Sequence, residues 1–324
     1  MSKLVISLVT RSRPEKLLET VSRTIKLWRN PDTKLIIQVD DDDQPTIDAL
    51  ANPPWLCKPW FTEHPQIAVN IAPREDTIGE KINRAMSEPA DVYLVASDDD
   101  PVVTPGYDVA ILEAAARFDD GIGFVHGHMA NLSFSCIVAP TRKMVEKLGY
   151  IQPGGLFPYW FIDHWTHDIG RMTGRISHAD IRSDQSKVGA TLEMREPGWW
   201  ATFYDALYLV RRKEVENLIN DPEFIETPKR KEMLLRRYVE EEMRSKWIND
   251  NVRQMSKPFE QAGGVRTDDE RYNRVKNRAI AMLPEVLKAL PPEEALKYTM
   301  ALCPPKFIPA LTQNWAPEPI AKAA

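Results

Sequence analysis

Cysteine is scarce. The 324 residues include three, Cys57, Cys136 and Cys303, odd in number, far apart and with no CxxC pair. That excludes a disulfide framework and a cysteine zinc site, and it fits a reducing, cytoplasmic setting. Long apolar runs are missing too. No stretch approaches the ~20 residues a spanning helix needs, so no transmembrane anchor is expected. The apolar run from Leu4, broken at Ser7, is too short for a signal peptide. Positive charge is not in excess either: 42 Lys and Arg stand against 47 Asp and Glu, a net of −5, which argues against a chain built as a whole to bind nucleic acid. Repeats and low-complexity tracts are absent. Glycine is sparse, 14 residues against 26 prolines, so proline supplies most of the punctuation.

What is present is an alternation of short apolar runs and helical patterns. Leu4-Val5-Ile6-Ser7-Leu8-Val9 reads as a central strand, apolar on both faces. It ends at Thr10-Arg11-Ser12-Arg13-Pro14. Pro14 suits the first position of a helix, and Leu17, Leu18, Val21, Ile25 and Leu27 continue at helical spacing to Trp28. Residues 35–39, 67–71, 92–96, 122–128, 134–139 and 175–181 read as further strands. Helices are expected over 77–86, 109–118, 141–148 and from about 159–165 to 172. The Pro- and Trp-rich stretch 51–61 reads as an irregular loop, and 183–203 as a mobile lid. After residue 210 the strands stop, and 211–220, 228–255, 268–290 and 292–302 all read as helices. The expected organisation is an α/β domain over 1–210 and a helical extension over 211–324.

Two strands end in clustered acid. The second runs into Asp40-Asp41-Asp42-Asp43 and the fourth into Ser97-Asp98-Asp99-Asp100. Acids after strands commonly form turns and caps. Two such clusters on one edge of a parallel sheet, where ligands bind, exceed that role. Adjacent carboxylates repel, and a divalent cation, Mn²⁺ or Mg²⁺, is the simplest compensation. A crevice between the clusters would suit a nucleotide diphosphate.

In content and order these segments resemble the GT-A glycosyltransferases, enzymes with a single Rossmann-like, mostly parallel sheet flanked by helices, a nucleotide-sugar donor and a DxD metal motif. The similarity runs through Val5 to Leu17 with its Arg13-Pro14 turn, Gln38-Val39-Asp40-Asp41, Gly79-Glu80-Lys81-Ile82-Asn83-Arg84-Ala85, Ser97-Asp98-Asp99-Asp100, and Phe161-Ile162-Asp163-His164 before Asp168-Ile169-Gly170-Arg171. It spans about residues 3–185. The resemblance implies Thr10, Arg11 and Asp40 or Asp41 at the nucleoside of the donor, with Arg13 also among the residues that bind the nucleotide-sugar. It implies Gly79, Lys81 and Asn83 along the nucleotide, with Lys81 near the phosphates. Asp98 would meet the ribose and Asp99 the nucleotide-sugar; the metal would fall to Asp98 and Asp100, or Asp99, with His178 as a further ligand. Asp163 would be the base that deprotonates the acceptor hydroxyl, with inversion at the anomeric carbon. The family often carries Glu before that Asp, whereas this chain has Ile162. A UDP-sugar is the implied donor. A saccharide, a lipid, a protein or a modified nucleic-acid base are the open acceptor classes, and a homo-oligomer is open as well.

Three rival readings stand beside it. A nucleotidyltransferase shares the sheet and the acids, but normally places a Gly-rich loop after the first strand, and Thr10 to Pro14 has no glycine. A zinc or iron hydrolase would draw on His126 and His128 at i, i+2 and on His164 and His167 at i, i+3, yet no HExxH occurs. A non-catalytic nucleotide-binding module needs the donor site without Asp163 as base.

Overall fold

The computed structural model describes residues 2–52, 64–98, 101–128, 137–158, 161–184, 196–238 and 270–303. β1 (Leu4–Val9) is buried along its whole length. It lies between β2 (Lys34–Asp40) and β4 (Val92–Ser97), with β3 (Ile67–Ala72) outside β2. All three pairings are parallel. Between the strands run α1 (Pro14–Ile25), α2 (Gln44–Ala51) and α3 (Ile78–Asn83), the last continued by a tight 3₁₀ turn (Arg84–Ser87).

The pleat sorts the side chains of β1. Leu4, Ile6 and Leu8, with Leu35, Ile37, Val39 and Leu94 beside them, join Leu17, Val21 and Ile25 of α1 in one core. α4 (Tyr107–Ala115) adds Tyr107 and Ile111 to that core. Each such side chain contributes about 1.5–3 kcal/mol by leaving water. The opposite face of β1 carries Ser7, whose hydroxyl donates to the Ile82 carbonyl of α3 at 3.1 Å. Pro14 takes the first helical position of α1, as its fixed φ favours, but the helix stops at Ile25 rather than Trp28. The Trp28 indole instead donates to the Tyr107 hydroxyl at 2.6 Å. Fully buried Asp108 accepts from the backbone of Arg29 and Asn30 and from the Thr33 hydroxyl, which ties α4 to the turn before β2.

A second sheet has the order β6-β5-β7. β5 (Phe124–His128) pairs antiparallel with β6 (Val138–Pro140) and parallel with β7 (Ile176–Arg182). An antiparallel bridge from Val92 to Thr141 joins it to β4. α5 (Arg142–Leu148) and α6 (Ile162–Thr173) lie between β6 and β7 in the chain. α6 packs close to its sheet because Gly170 faces it: an added Cβ would stand 2.8 Å from Ile176 and 3.0 Å from Phe124. The architecture is thus α/β, a mostly parallel sheet flanked by helices.

Contacts group the chain into two units, 1–191 with 214–241, and 192–213 with 242–324. In the second unit α7 (Pro197–Ala206) buries Trp200, Ala201, Phe203 and Tyr204. The Trp200 indole donates to the Tyr272 hydroxyl of α9 (Glu270–Lys288) at 3.1 Å, and the Trp199 indole to the Leu302 carbonyl of α10 (Pro292–Leu302) at 3.2 Å. The stretch read as a lid is therefore helical from Pro197, its aromatic residues spent on packing. Its residues 185–195 lie outside the described residues. α8 (Tyr208–Asn220) covers the helix expected at 211–220, and residues 228–238 are helical. The rest of the 228–255 segment, residues 134–136 and most of the 51–61 loop lie outside the described residues. α2 is an element that the sequence pattern did not announce.

Candidate functional site

The strand order 3-2-1-4 makes a topological switch point. The chain leaves β1 toward β2 and β3, then returns to add β4 on the other side. In open parallel sheets ligands settle at the carboxyl ends of such strands. Here those ends carry Thr10, Asp40 and Asp98 side by side.

Asp98 follows β4 and is fully buried. The Thr10 hydroxyl donates to its Oδ2 at 2.8 Å, and Arg13 Nη2 stands 2.7 Å from its Oδ1. Asp40, the last residue of β2, is 2% exposed. Lys81 Nζ lies 2.9 Å from one of its oxygens and Arg11 Nη1 2.9 Å from the other, with Arg84 Nη2 at 3.6 Å. Lys81 also donates to the Thr10 carbonyl at 2.8 Å, so one ammonium ties the ends of β1 and β2 together. Burial lowers the Lys81 pKa, and the bond to Asp40 opposes that. Arg11 reaches on to Asp42 at 2.7 Å. Asp43 accepts from the Ser12 amide at 2.7 Å, which holds Ser12 in the left-handed region at φ 53°. Asp41 is exposed.

Among the described residues, Asp40 and Asp98 are compensated by arginine and lysine side chains brought in by the turn after β1 and by α3. Opposite charge at hydrogen-bond distance stabilises a buried carboxylate directly. Asp99 and Asp100 lie outside the described residues. Among the described residues no three His, Cys, Asp or Glu side chains converge as a metal site.

Gly79 and Asn83 serve a loop. Asn83 Oδ1 accepts from the amides of Ile151 and Gln152 at 2.8 and 3.0 Å, and Nδ2 donates to the Gln152 carbonyl at 2.8 Å. A Cβ on Gly79 would stand 2.3 Å from the Pro153 carbonyl oxygen. Thr77 and Glu80 form a capping box on α3, and the Thr77 hydroxyl also accepts from the Gly155 amide at 3.0 Å. The Ile78 amide donates to the Pro158 carbonyl at 3.4 Å. These bonds lay the 151–158 loop over the start of α3, the helix that carries Lys81. Gly79→Ala is expected to cost about 1–3 kcal/mol by overpacking against backbone. Urea unfolding measures it; a change near zero would mean that the loop yields without loss.

α6 begins four residues after that loop. Asp163, its second residue, has a side chain about a quarter exposed (26%). Its Oδ1 accepts from the His164 amide at 2.9 Å and lies 3.2 Å from His164 Nδ1. Asp168 pairs with Arg171 at 2.8 Å, one turn on. Between them Trp165 is buried, and its indole donates to Glu214 Oε2 at 2.9 Å, an oxygen that also accepts from the Tyr150 hydroxyl at 2.8 Å. Burial and the Glu214 charge hold the Tyr150 pKa well above its ordinary value. Sequence reasoning missed Tyr150 and Glu214, because only folding brings them to α6.

His178, read as a ligand beside Asp98 and Asp100, has imidazoles as its ring neighbours. It stacks on His128 with centroids 6.1 Å apart and meets His126 edge-on at 6.3 Å. His126 in turn lies 5.1 Å from the ring of His167 on α6. Burial, then the neighbouring imidazoles, push His126 down to about 3; burial pushes His167 down to about 4. A pH dependence follows. An unfolded imidazole protonates near 6.5, whereas in the fold His167 stays neutral until about 4 and His126 until about 3. Below 6.5 the unfolded chain binds more protons, so stability falls as pH drops, by up to ~1.4 kcal/mol per pH unit for each histidine. Urea midpoints in wild type and His126→Leu check this: the variant should lose one histidine's share of the slope. Equal slopes would show that His126 takes a proton without unfolding.

A depression of about 570 Å³ lies at the other edge of the sheet, by Lys3, Lys34 and Glu88. Both lysines are spent on Glu88 there, which leaves it little to offer a ligand.

No family model matches the chain, and no curated protein does. Among solved structures it is similar to TarS 1–349 of S. aureus, at 13% identity over 96% of this chain and 88% of that one, with a TM-score of 0.47. It is also similar to GalNAc-T7 with UDP, GalNAc and Mn2+, at 11% identity over 74% and 56% of the two chains (TM-score 0.44). A cytidylyltransferase from Leptospira borgpetersenii overlaps at 13% identity over 78% and 96% (TM-score 0.38). At such overlaps none of the three assigns a reaction.

Proposed function

We propose that the chain is a GT-A-type glycosyltransferase that moves a sugar from a nucleoside diphosphate sugar, a UDP-sugar, to an acceptor hydroxyl. One observation carries the reading. The switch point between β1 and β4 holds a buried hydroxyl–carboxylate pair, Thr10 and Asp98, under the half-exposed guanidinium of Arg13, with Arg11 and Asp40 beside it. Arginine suits phosphate because its planar fork gives paired donors. Arg13 and Arg11, their side chains 39% and 33% exposed, face the diphosphate in this reading. Asp40 and Asp41 face the nucleoside. Lys81 acts from beneath, holding the ends of β1 and β2 in register. Gly79 and Asn83 act by fixing the loop that leads to α6.

Asp163 is the base. It takes the proton of the acceptor hydroxyl as that oxygen bonds to the anomeric carbon. The bond from that carbon to the diphosphate oxygen breaks, the nucleoside diphosphate leaves with the electron pair, and attack from the opposite face inverts the centre. The arginines meet the charge that develops on the leaving group. Any Mn²⁺ or Mg²⁺ requirement falls to Asp99 and Asp100, outside the described residues.

A thermal-shift panel of nucleoside diphosphates, with and without Mn²⁺, tests the donor site. A ligand that binds the folded state alone, at about 100 times its Kd, stabilises by ~2.7 kcal/mol. UDP should raise the melting temperature, and Arg13→Ala should abolish most of the rise. No shift with any diphosphate would remove the donor site, and with it the reading.

A further inference from the structure

α6 is entered from a strained residue. Phe161, just before its first turn, stands in the left-handed region at φ 73°. Residues other than glycine disfavour that region, and they hold it only where their surroundings over-determine them. Phe161 is buried, with the rings of Phe157 at 6.1 Å and His164 at 5.2 Å. Four residues on, Trp165 is fully buried, and its indole N–H is shared between Glu214 Oε2 at 2.9 Å and the Tyr150 hydroxyl oxygen at 3.0 Å. The Tyr150 hydroxyl closes the triangle by donating to the same Glu214 oxygen at 2.8 Å. Burial and the Glu214 charge keep that phenol protonated, so it remains a donor. Hydrogen bonds to an ionised acceptor are about twice as strong as neutral ones. The two residues after Tyr150 are those whose amides Asn83 of α3 holds. One carboxylate on α8 thus fastens α6 to the loop that crosses from α3.

We propose that Glu214 is the positioning residue for Asp163: through Trp165 it fixes the rotation of α6 about its axis, and so the point at which the Asp163 carboxylate meets the acceptor hydroxyl. This role rests on the glycosyl-transfer reading with Asp163 as base. Residues two apart on a helix point about 200° apart. Trp165 faces the interior, and Asp163, its side chain a quarter exposed, lies on the opposite side of the helix. Side chains end about 5–6 Å from a helix axis, so a rotation of ~10° carries a carboxylate through ~1 Å. A misplacement of about 1 Å costs a reaction about 100-fold, and productive geometry tolerates only about 0.5 Å or 10–20°. A tether two residues from the base, on the buried side of its helix, restrains that rotation directly. Glu214 itself touches no reacting atom.

The test compares full-length Glu214→Ala, Glu214→Gln and Trp165→Phe at a temperature where each is folded. Glu214→Ala and Trp165→Phe should each lower kcat about 10–100-fold. The donor KM and the melting-temperature rise given by UDP should stay as in wild type. Glu214→Gln keeps an accepting oxygen and should recover most of the loss. In an Asp163→Asn background, Glu214→Ala should lower the residual turnover by no more than about twofold, because a helix without its base has nothing left to misplace. A group that merely supports the fold would cost the same in both backgrounds, and that result overturns the proposal. Wild-type kcat in Glu214→Ala overturns it too. If Glu214→Ala does not fold, Trp165→Phe, which keeps most of the buried ring surface, carries the same cycle. A wild-type chain that neither transfers sugar nor responds to UDP removes the glycosyl-transfer reading and this role with it. A wild-type chain that does both, beside a fully active Glu214→Ala, removes the positioning role alone.

Discussion

Asp163→Asn is expected to lower sugar transfer by about 10²–10⁴-fold, the usual share of a positioned general base. Nucleoside diphosphate binding should stay as in wild type, because the donor's proposed contacts lie on β1, β2 and β4. The substitution is close to isosteric and keeps the oxygen that accepts from the His164 amide, so α6 should keep its start. The informative comparison is kcat against the melting-temperature rise given by UDP. If turnover persists within a few-fold of wild type while UDP still binds, Asp163 is only a helix-start acid and another group takes the proton. If both are lost, the substitution has disturbed the fold, and Asp163→Glu decides whether the carboxylate or its position matters.

The second large effect concerns stability. Asp40→Ala is expected to cost about 3–5 kcal/mol, because it leaves the buried Lys81 ammonium without its carboxylate. Lys81 would keep the Thr10 carbonyl, a weak substitute for a full charge at 2.9 Å. Arg11 and Arg84 would add repulsion at the same spot. The double variant Asp40→Leu with Lys81→Met should recover most of the loss, since removing both charges also removes their desolvation cost. Urea unfolding of the two variants measures this. A loss under about 1 kcal/mol for the single variant would mean that Lys81 reaches water, and the pair would no longer explain how the strand ends are held.

Much of the sheet was legible because local pattern and burial agree. Leu4 to Val9, 35–39 and 92–96 are apolar runs of strand length, and each is a strand within a residue or two. Pro14 and the Leu17, Leu18, Val21, Ile25 spacing announced α1. α2 was missed, since Gln44 to Ala51 fully buries only Thr46 and Leu50, with Ile47 and Ala49 half-buried against the core. The stretch 183–203 was read as a lid, whereas from Pro197 it is helical, with Trp200, Phe203 and Tyr204 buried.

The amino-acid order thus determined the alternation of strands and helices, and with it that acids would stand at the strand ends. It did so because side-chain period and turn chemistry are local. Tertiary structure decided what neutralises those acids, what Gly79 and Asn83 touch, and that four histidines from three elements meet in one row. Those outcomes depend on which distant segments share a few cubic ångströms, and charge and hydrogen bonding act through that space rather than along the chain.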